Sequence, residues 1–161
     1  MPKTKKASYP GAMALLNYAR QYYDGAEIIF ASKPDLTNLL YFLYFHVAES
    51  SLKAYLKAHG KERTGHEIGK LCREAQQLGL KIERDKSGGL HLHNVAALLE
   101  SGNRDAAFRY STRESRTKPD LDWTRDVVGE LLTAVTPVVE STWDKTKSGV
   151  PVKFDLTFRM N

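Results

Sequence analysis

Hydrophobic residues recur along this chain at intervals of three and four positions, a spacing typical of amphipathic α-helices. We predict five helices on this basis, at about residues 10–32, 35–59, 64–78, 90–102 and 120–143. The tail changes to strict alternation, because apolar and polar residues take turns over residues 150–159, which indicates a strand. The pattern therefore predicts an all-α fold: a single up-and-down bundle of about five helices with a short C-terminal extended arm. The arm either packs on the bundle or pairs with another chain.

The second predicted helix is more apolar than the others. It carries one stripe of Tyr41, Phe45, Ala48, Leu52 and Tyr55, and a neighbouring stripe of Leu36, Leu40, Leu43, Val47 and Ala54. Because two adjacent stripes require two neighbours, we expect this helix to be central in the bundle.

Polar residues and prolines suggest where the helices begin and bend. The predicted N-caps are Ser32 or Asp35 for the second helix, Thr64 with Glu67 as a capping box for the third, and Asp120 or Asp122 for the fifth. Pro137 removes a backbone donor, so we expect the fifth helix to kink or to be interrupted there.

The composition is that of an ordinary globular protein, with 161 residues, 42% of them hydrophobic and 27% charged. No apolar run approaches the roughly 20 residues of a membrane span, and the basic start has no apolar stretch typical of a signal peptide. We therefore expect a cytoplasmic protein. The expected organisation is a flexible basic N-terminus (residues 1–9), one helical bundle (10–145) and the extended arm (146–161).

The cysteine count and the net charge limit the kinds of functional site that the chain can contain. Cys72 is the only cysteine, which excludes an internal disulfide or a multi-cysteine zinc site, and its place on an apolar stripe predicts burial. We expect no metal and no cofactor. The net charge of +5 permits contact with phosphates without requiring it. Part of this charge is local, in a region that contains Arg104, Arg109, Arg113, Arg116, Lys118 and Arg125 among five acidic residues.

A line of polar residues interrupts the apolar surface of the second helix. His46, Glu49 and Lys53 share one face because they are three and four positions apart. One interpretation is an ion pair at the bundle surface. The other is a ligand groove that also receives His66, Arg109, Tyr110 and Arg113, in which basic groups hold phosphate and tyrosine stacks on a base. For His66, a purely local role at the start of its helix is the alternative.

The runs AESSLKAYLKAHG (48–60), TGHEIGKLCREAQQLGL (64–80) and FRYSTRE (108–114) resemble the HEPN superfamily, the helical domains of prokaryotic nucleotidyltransferase partners, toxins and RNases. The resemblance covers about residues 12–143. The resemblance implies a homodimer, because related bundles commonly pair through their helices. It also implies a module that binds nucleotide, RNA or a partner protein, for example a nucleotidyltransferase or an antitoxin. We predict a non-catalytic member, with a pure protein-interaction module as one alternative.

The other alternative is a metal-independent endoribonuclease. Catalytic HEPN proteins carry an Arg followed a few residues later by a His, and this chain contains one such Arg-x6-His string, Arg84 to His91. His91 would act as general base toward a 2′-hydroxyl, and Arg84 would stabilise the charge on phosphorus. A chance match is the rival interpretation, because the chain has ten arginines and five histidines, so about one such string is expected at random. The string also lies in a loop with two consecutive glycines rather than on a helix.

Overall fold

A computed structural model describes residues 10–104 and 118–147. Within these ranges the chain forms five α-helices and no strand, so the predicted all-α bundle is confirmed. The helices are α1 (Ala12–Ser32), α2 (Thr37–Ala58), α3 (Ile68–Gln77), α4 (His91–Gly102) and α5 (Leu121–Lys147), with a one-turn 3-10 helix (Arg84–Ser87) before α4.

Helix α2 occupies the centre of the bundle, where it contacts α1, α3, α4 and α5. Its first apolar stripe is buried throughout, whereas the second begins at Leu36, which is 44% exposed. Helices α1 and α5 run antiparallel and are joined by the ion pairs Arg20–Glu140 and Arg125–Glu27. The prediction that α2 needs more than one neighbour is therefore correct.

The predicted helix starts are right for α5 and wrong for α2 and α3. The Asp120 carboxylate accepts a hydrogen bond from the Trp123 N–H at 2.8 Å, which caps α5. Helix α2 begins after Leu36 without a side-chain cap. Helix α3 begins only at Ile68, so Thr64 lies outside it and no capping box forms.

A side chain from another helix replaces the missing cap of α3. The Gly69 N–H in the first turn of α3 donates to Oε2 of Glu100 on α4, at 2.6 Å. A carboxylate in this position satisfies a free backbone donor and also faces the positive end of the helix dipole. Helix α3 therefore depends on α4 for its start.

Other local predictions have clear outcomes. Helix α5 continues through Pro137 without interruption and reaches Lys147. Cys72 is buried, as predicted, and burial raises the pKa of its thiol to about 12. Within residues 10–104 and 118–147, no helix combines the length and the apolar character needed to cross a membrane.

Several predictions lie outside the described residues. These are the basic start (1–9), the alternating arm (150–159) and the candidate ligands Arg109, Tyr110 and Arg113. The domain boundaries stay predictions.

Candidate functional site

The centre of the candidate site is the carboxylate of Glu49, which α2 places in the protein interior. Only 5% of Glu49 is exposed, and Lys53, one turn further along α2, is 7% exposed. Lys53 Nζ donates to Glu49 Oε1 at 2.6 Å. On the other side of Glu49, His46 Nδ1 lies 3.4 Å from Oε2. The predicted polar face thus forms a buried ion pair rather than a pair at the bundle surface.

A second histidine reaches Glu49 from the loop between α2 and α3. The Nδ1 atom of His66 lies 2.6 Å from Glu49 Oε1. Because α3 begins later than predicted, residues 61–67 have no helical conformation, and His66 bridges back to α2. The structure therefore brings together His46, Glu49, Lys53 and His66, four of the residues that we predicted as ligands.

The environment of Glu49 keeps it ionised. Burial by itself raises the pKa of Glu49, because removal from water disfavours the charged form. Hydrogen bonding with His46, Lys53 and His66, together with the positive charge of Lys53, outweighs burial and lowers the pKa to about 2. The cluster therefore contains a buried carboxylate that accepts hydrogen bonds and donates none.

Aromatic rings fix the position of His46. Its ring stacks on Tyr22 of α1, with 5.2 Å between ring centroids, and meets the edges of Phe42 and Phe45 at 4.5 and 5.6 Å. The His46 side chain is 17% exposed. His46 and Phe45 thus form a rigid, largely apolar wall beside the carboxylate.

The polar cluster opens into a cleft of about 460 Å³. The cleft is lined by Phe45, His46, Glu49, His66, Glu67, Glu100, Asn103 and Arg104. Sequence reasoning missed Glu67, Glu100 and Asn103 as members of a site, and it placed Arg104 only in a basic region. In the sequence, the only signal that relates Glu100 to Arg104 is their separation of four positions. Glu100 lies on α4, whereas Arg104 follows Gly102, the last residue of that helix.

The second predicted pair, Arg84 and His91, has different surroundings. Arg84 donates to Asp126 Oδ2 and Glu130 Oε1 of α5, each at 2.7 Å, so the guanidinium already holds two carboxylates. His91 begins α4, and its Nδ1 accepts a hydrogen bond from Trp123 Nε1 at 3.2 Å. Both side chains therefore contact α5, and the catalytic role stays a prediction.

Metal binding has no visible site in the part of the chain that the structure describes. No group of three or more His, Cys, Asp or Glu residues there is arranged to hold a metal ion.

Comparison with known proteins gives one family. The family model described as HEPN domain matches residues 12–142. The crystal structure of ST0689, an archaeal HEPN homologue, is similar at 17% sequence identity, over 85% of this chain and 98% of that chain, with a TM-score of 0.46. No curated protein matches the sequence.

Proposed function

The chain belongs to the HEPN domain family, and from that premise we propose that it is a non-catalytic module that binds a nucleotide. The nucleotide is either free or one unit of an RNA strand, and it occupies the cleft beside Glu49. The observation that carries this proposal is the chemistry of the cleft, in which a guanidinium, carboxylates, imidazoles and an aromatic wall face one space.

The size of the cleft agrees with a ligand of this class. Small-molecule sites commonly have volumes of roughly 300–1,000 Å³, and about 460 Å³ lies within that range. A nucleotide combines an anionic phosphate with a flat base that carries amino donors. Arg104 suits the phosphate, the carboxylates of Glu67 and Glu100 suit amino groups, and the apolar wall of His46 and Phe45 suits contact with a base.

Lys53 has a supporting role in this proposal. Its ammonium contacts Glu49 at 2.6 Å and is nearly buried, so its charge already stabilises an anion. Arg104 lines the cleft, and the net charge of +5 adds a general attraction for phosphate. We expect the affinity to fall as salt is added, because contacts between exposed charges are screened.

Calorimetric titration of the full chain with the four nucleoside monophosphates and a short RNA, at low salt, tests the proposal. Arg104→Ala should weaken binding by about tenfold, since a hydrogen-bonded charge contact is lost. Arg20→Ala is the matched control, because it removes one positive charge that pairs with Glu140 on the α1 and α5 side. An absence of binding, or equal affinities in both variants, would refute the nucleotide site.

Related measurements test the two rival functions, an endoribonuclease and a pure protein-interaction module. If the protein degrades RNA in the presence of EDTA, and Arg84→Ala and His91→Ala each abolish this, the non-catalytic proposal fails in favour of an endoribonuclease. If neither nucleotides nor RNA bind, the pure protein-interaction module is favoured. Homodimerisation and pairing with a nucleotidyltransferase or an antitoxin stay predictions from the family.

A further inference from the structure

His66 differs from its partner Glu49 in exposure. The side chain of His66 is 78% exposed, whereas that of Glu49 is 7% exposed. The contact between them is short, with 2.6 Å from His66 Nδ1 to Glu49 Oε1. The buried Glu49 carboxylate thus holds Nδ1 of His66. The opposite edge of the ring carries Nε2 and faces the solvent and the cleft.

The contact also determines where the hydrogen of the imidazole lies. Glu49 is a carboxylate that can only accept, so the Nδ1 atom of His66 must carry the hydrogen. A neutral imidazole has one N–H, and the other nitrogen then has a free lone pair. The Nε2 atom of neutral His66 is therefore a hydrogen-bond acceptor rather than a donor.

The position of this acceptor is fixed before any ligand arrives. Lys53 holds the same Oε1 atom of Glu49 at 2.6 Å from within α2. The loop that carries His66 is tied to α3 by the ion pair between Arg63 Nε and Glu74 Oε2, at 2.6 Å. Binding to a preorganised group loses less conformational entropy than binding to a mobile one.

A neutral acceptor in this cleft suits a particular donor. Among the other acceptors that line the cleft, Glu67 and Glu100 are carboxylates and repel an anionic phosphate close to them, whereas the neutral Nε2 of His66 and the amide oxygen of Asn103 do not. The ribose 2′-hydroxyl is a neutral donor that every ribonucleotide carries, and in an RNA strand it lies next to the 3′-phosphate. We infer that His66 Nε2 accepts a hydrogen bond from the ribose 2′-hydroxyl, so that the cleft prefers ribonucleotides to 2′-deoxyribonucleotides. This inference rests on the proposed nucleotide-binding function.

Binding of AMP, 2′-deoxy-AMP and 3′-deoxy-AMP to the full chain tests the inference. The wild-type protein should bind AMP about three- to tenfold more tightly than 2′-deoxy-AMP, the effect of one partly solvated hydrogen bond. The analogue 3′-deoxy-AMP keeps the 2′-hydroxyl and should bind like AMP. In His66→Ala the AMP affinity should fall to that of 2′-deoxy-AMP. The control His59→Ala removes a histidine at the end of α2 that contacts Tyr55 and should keep the wild-type ratio.

The outcomes separate this inference from the proposed function. If no nucleotide binds, the proposed function fails. If 2′-deoxy-AMP binds to the wild-type protein as tightly as AMP, the site stands and the hydroxyl contact is refuted.

Nitrogen-15 NMR of the His66 ring gives a second readout that does not depend on a ligand. Neutral His66 should be the Nδ1–H tautomer in the wild-type protein. In Glu49→Gln the Nε2–H form should gain population, because an amide can donate to Nδ1. A wild-type spectrum dominated by the Nε2–H form would overturn the inference, whatever the stability of the variant.

Discussion

The cleft around Glu49 and the loop around Arg84 contain the same kinds of side chain in opposite arrangements. In the cleft, a buried carboxylate holds Lys53 and leaves most of His66 exposed. In the loop, a guanidinium that is 37% exposed holds Asp126 and Glu130, and its neighbouring histidine accepts a hydrogen bond from Trp123.

The difference shows that burial of the central charged group determines how much a polar cluster contributes to the stability of the fold. A buried charge depends on its partners, because water cannot replace them. A partly exposed charge has water as a substitute, so its ion pairs stabilise the fold much less. We therefore expect the cleft to be sensitive to mutation and to pH, and the loop to be tolerant.

The largest effect is expected from Glu49→Ala. This substitution leaves the Lys53 ammonium, 7% exposed, without its carboxylate. The free energy of unfolding should fall by about 3–5 kcal/mol, the usual result of removing one partner of a buried ion pair. Urea denaturation followed by circular dichroism measures it.

A double variant distinguishes a buried charge from simple loss of packing. Glu49→Leu with Lys53→Met removes both charges and keeps most of the side-chain volume, so it should recover more than half of the lost stability. If Glu49→Ala lowers the free energy of unfolding by less than about 1 kcal/mol, the contrast between the two regions is wrong.

Acid should destabilise the protein through the same carboxylate. The pKa of Glu49 falls from its ordinary value of 4.5 to about 2 on folding. A depressed pKa contributes stability that is present above the unfolded value, and this stability is lost as pH falls from about 4.5 toward 2. The size of the shift corresponds to an upper value of about 3 kcal/mol. Urea midpoints measured from neutral pH down to pH about 3 should decrease.

The double variant without Glu49 and Lys53 is also the control for this pH dependence. It should lose less stability over the same range, although Glu27 contributes in the same direction. The hydrogen bond from Arg125 lowers the pKa of Glu27. Equal acid dependence in the two proteins would show that Glu49 is not the source.

A smaller effect is expected from Glu100→Ala. The variant removes the acceptor of the Gly69 N–H at the start of α3 and should cost about 1 kcal/mol, as the loss of a helix cap does. Because Glu100 also lines the cleft, Glu100→Ala should lower both the free energy of unfolding, measured with urea, and the affinity for nucleotide. The matched control is Glu83→Ala, because Glu83 is an exposed carboxylate that pairs with Lys86. This control should change neither the stability nor the affinity.

Most of the bundle could be predicted from the sequence, because helix formation and burial follow local periodicity. The apolar stripe of α2, the cap of α5 at Asp120 and the burial of Cys72 are examples. The family resemblance is confirmed by the match over residues 12–142. The predicted start of α3 was wrong, because the Gly69 amide in its first turn is satisfied by Glu100, a residue 31 positions away in sequence.

The candidate site could be predicted only in part, for the same reason. His46, Glu49 and Lys53 lie on one helix, so their spacing alone places them on one face. The contact of His66 with Glu49 depends on a loop conformation, and the position of Glu100 and Arg104 in the cleft depends on how α4 packs. The motif of the family resemblance suggested Arg84 and His91 as a pair, but a motif contains no information on Asp126, Glu130 and Trp123, which come from α5.

The smallest effect is expected from Arg84→Ala, at about 1 kcal/mol or less. Arg84 loses two side-chain ion pairs, but its backbone N–H still donates to Glu130 Oε2 at 2.9 Å, so the loop keeps one contact with α5. Added salt should reduce the difference in stability between Arg84→Ala and the wild-type protein, since both carboxylates are partly exposed. The difference between Glu49→Ala and the wild-type protein should change little with salt, because that pair is buried. Urea denaturation of both variants at low and high salt makes this comparison, and a large, salt-independent loss for Arg84→Ala would remove the distinction between the two regions.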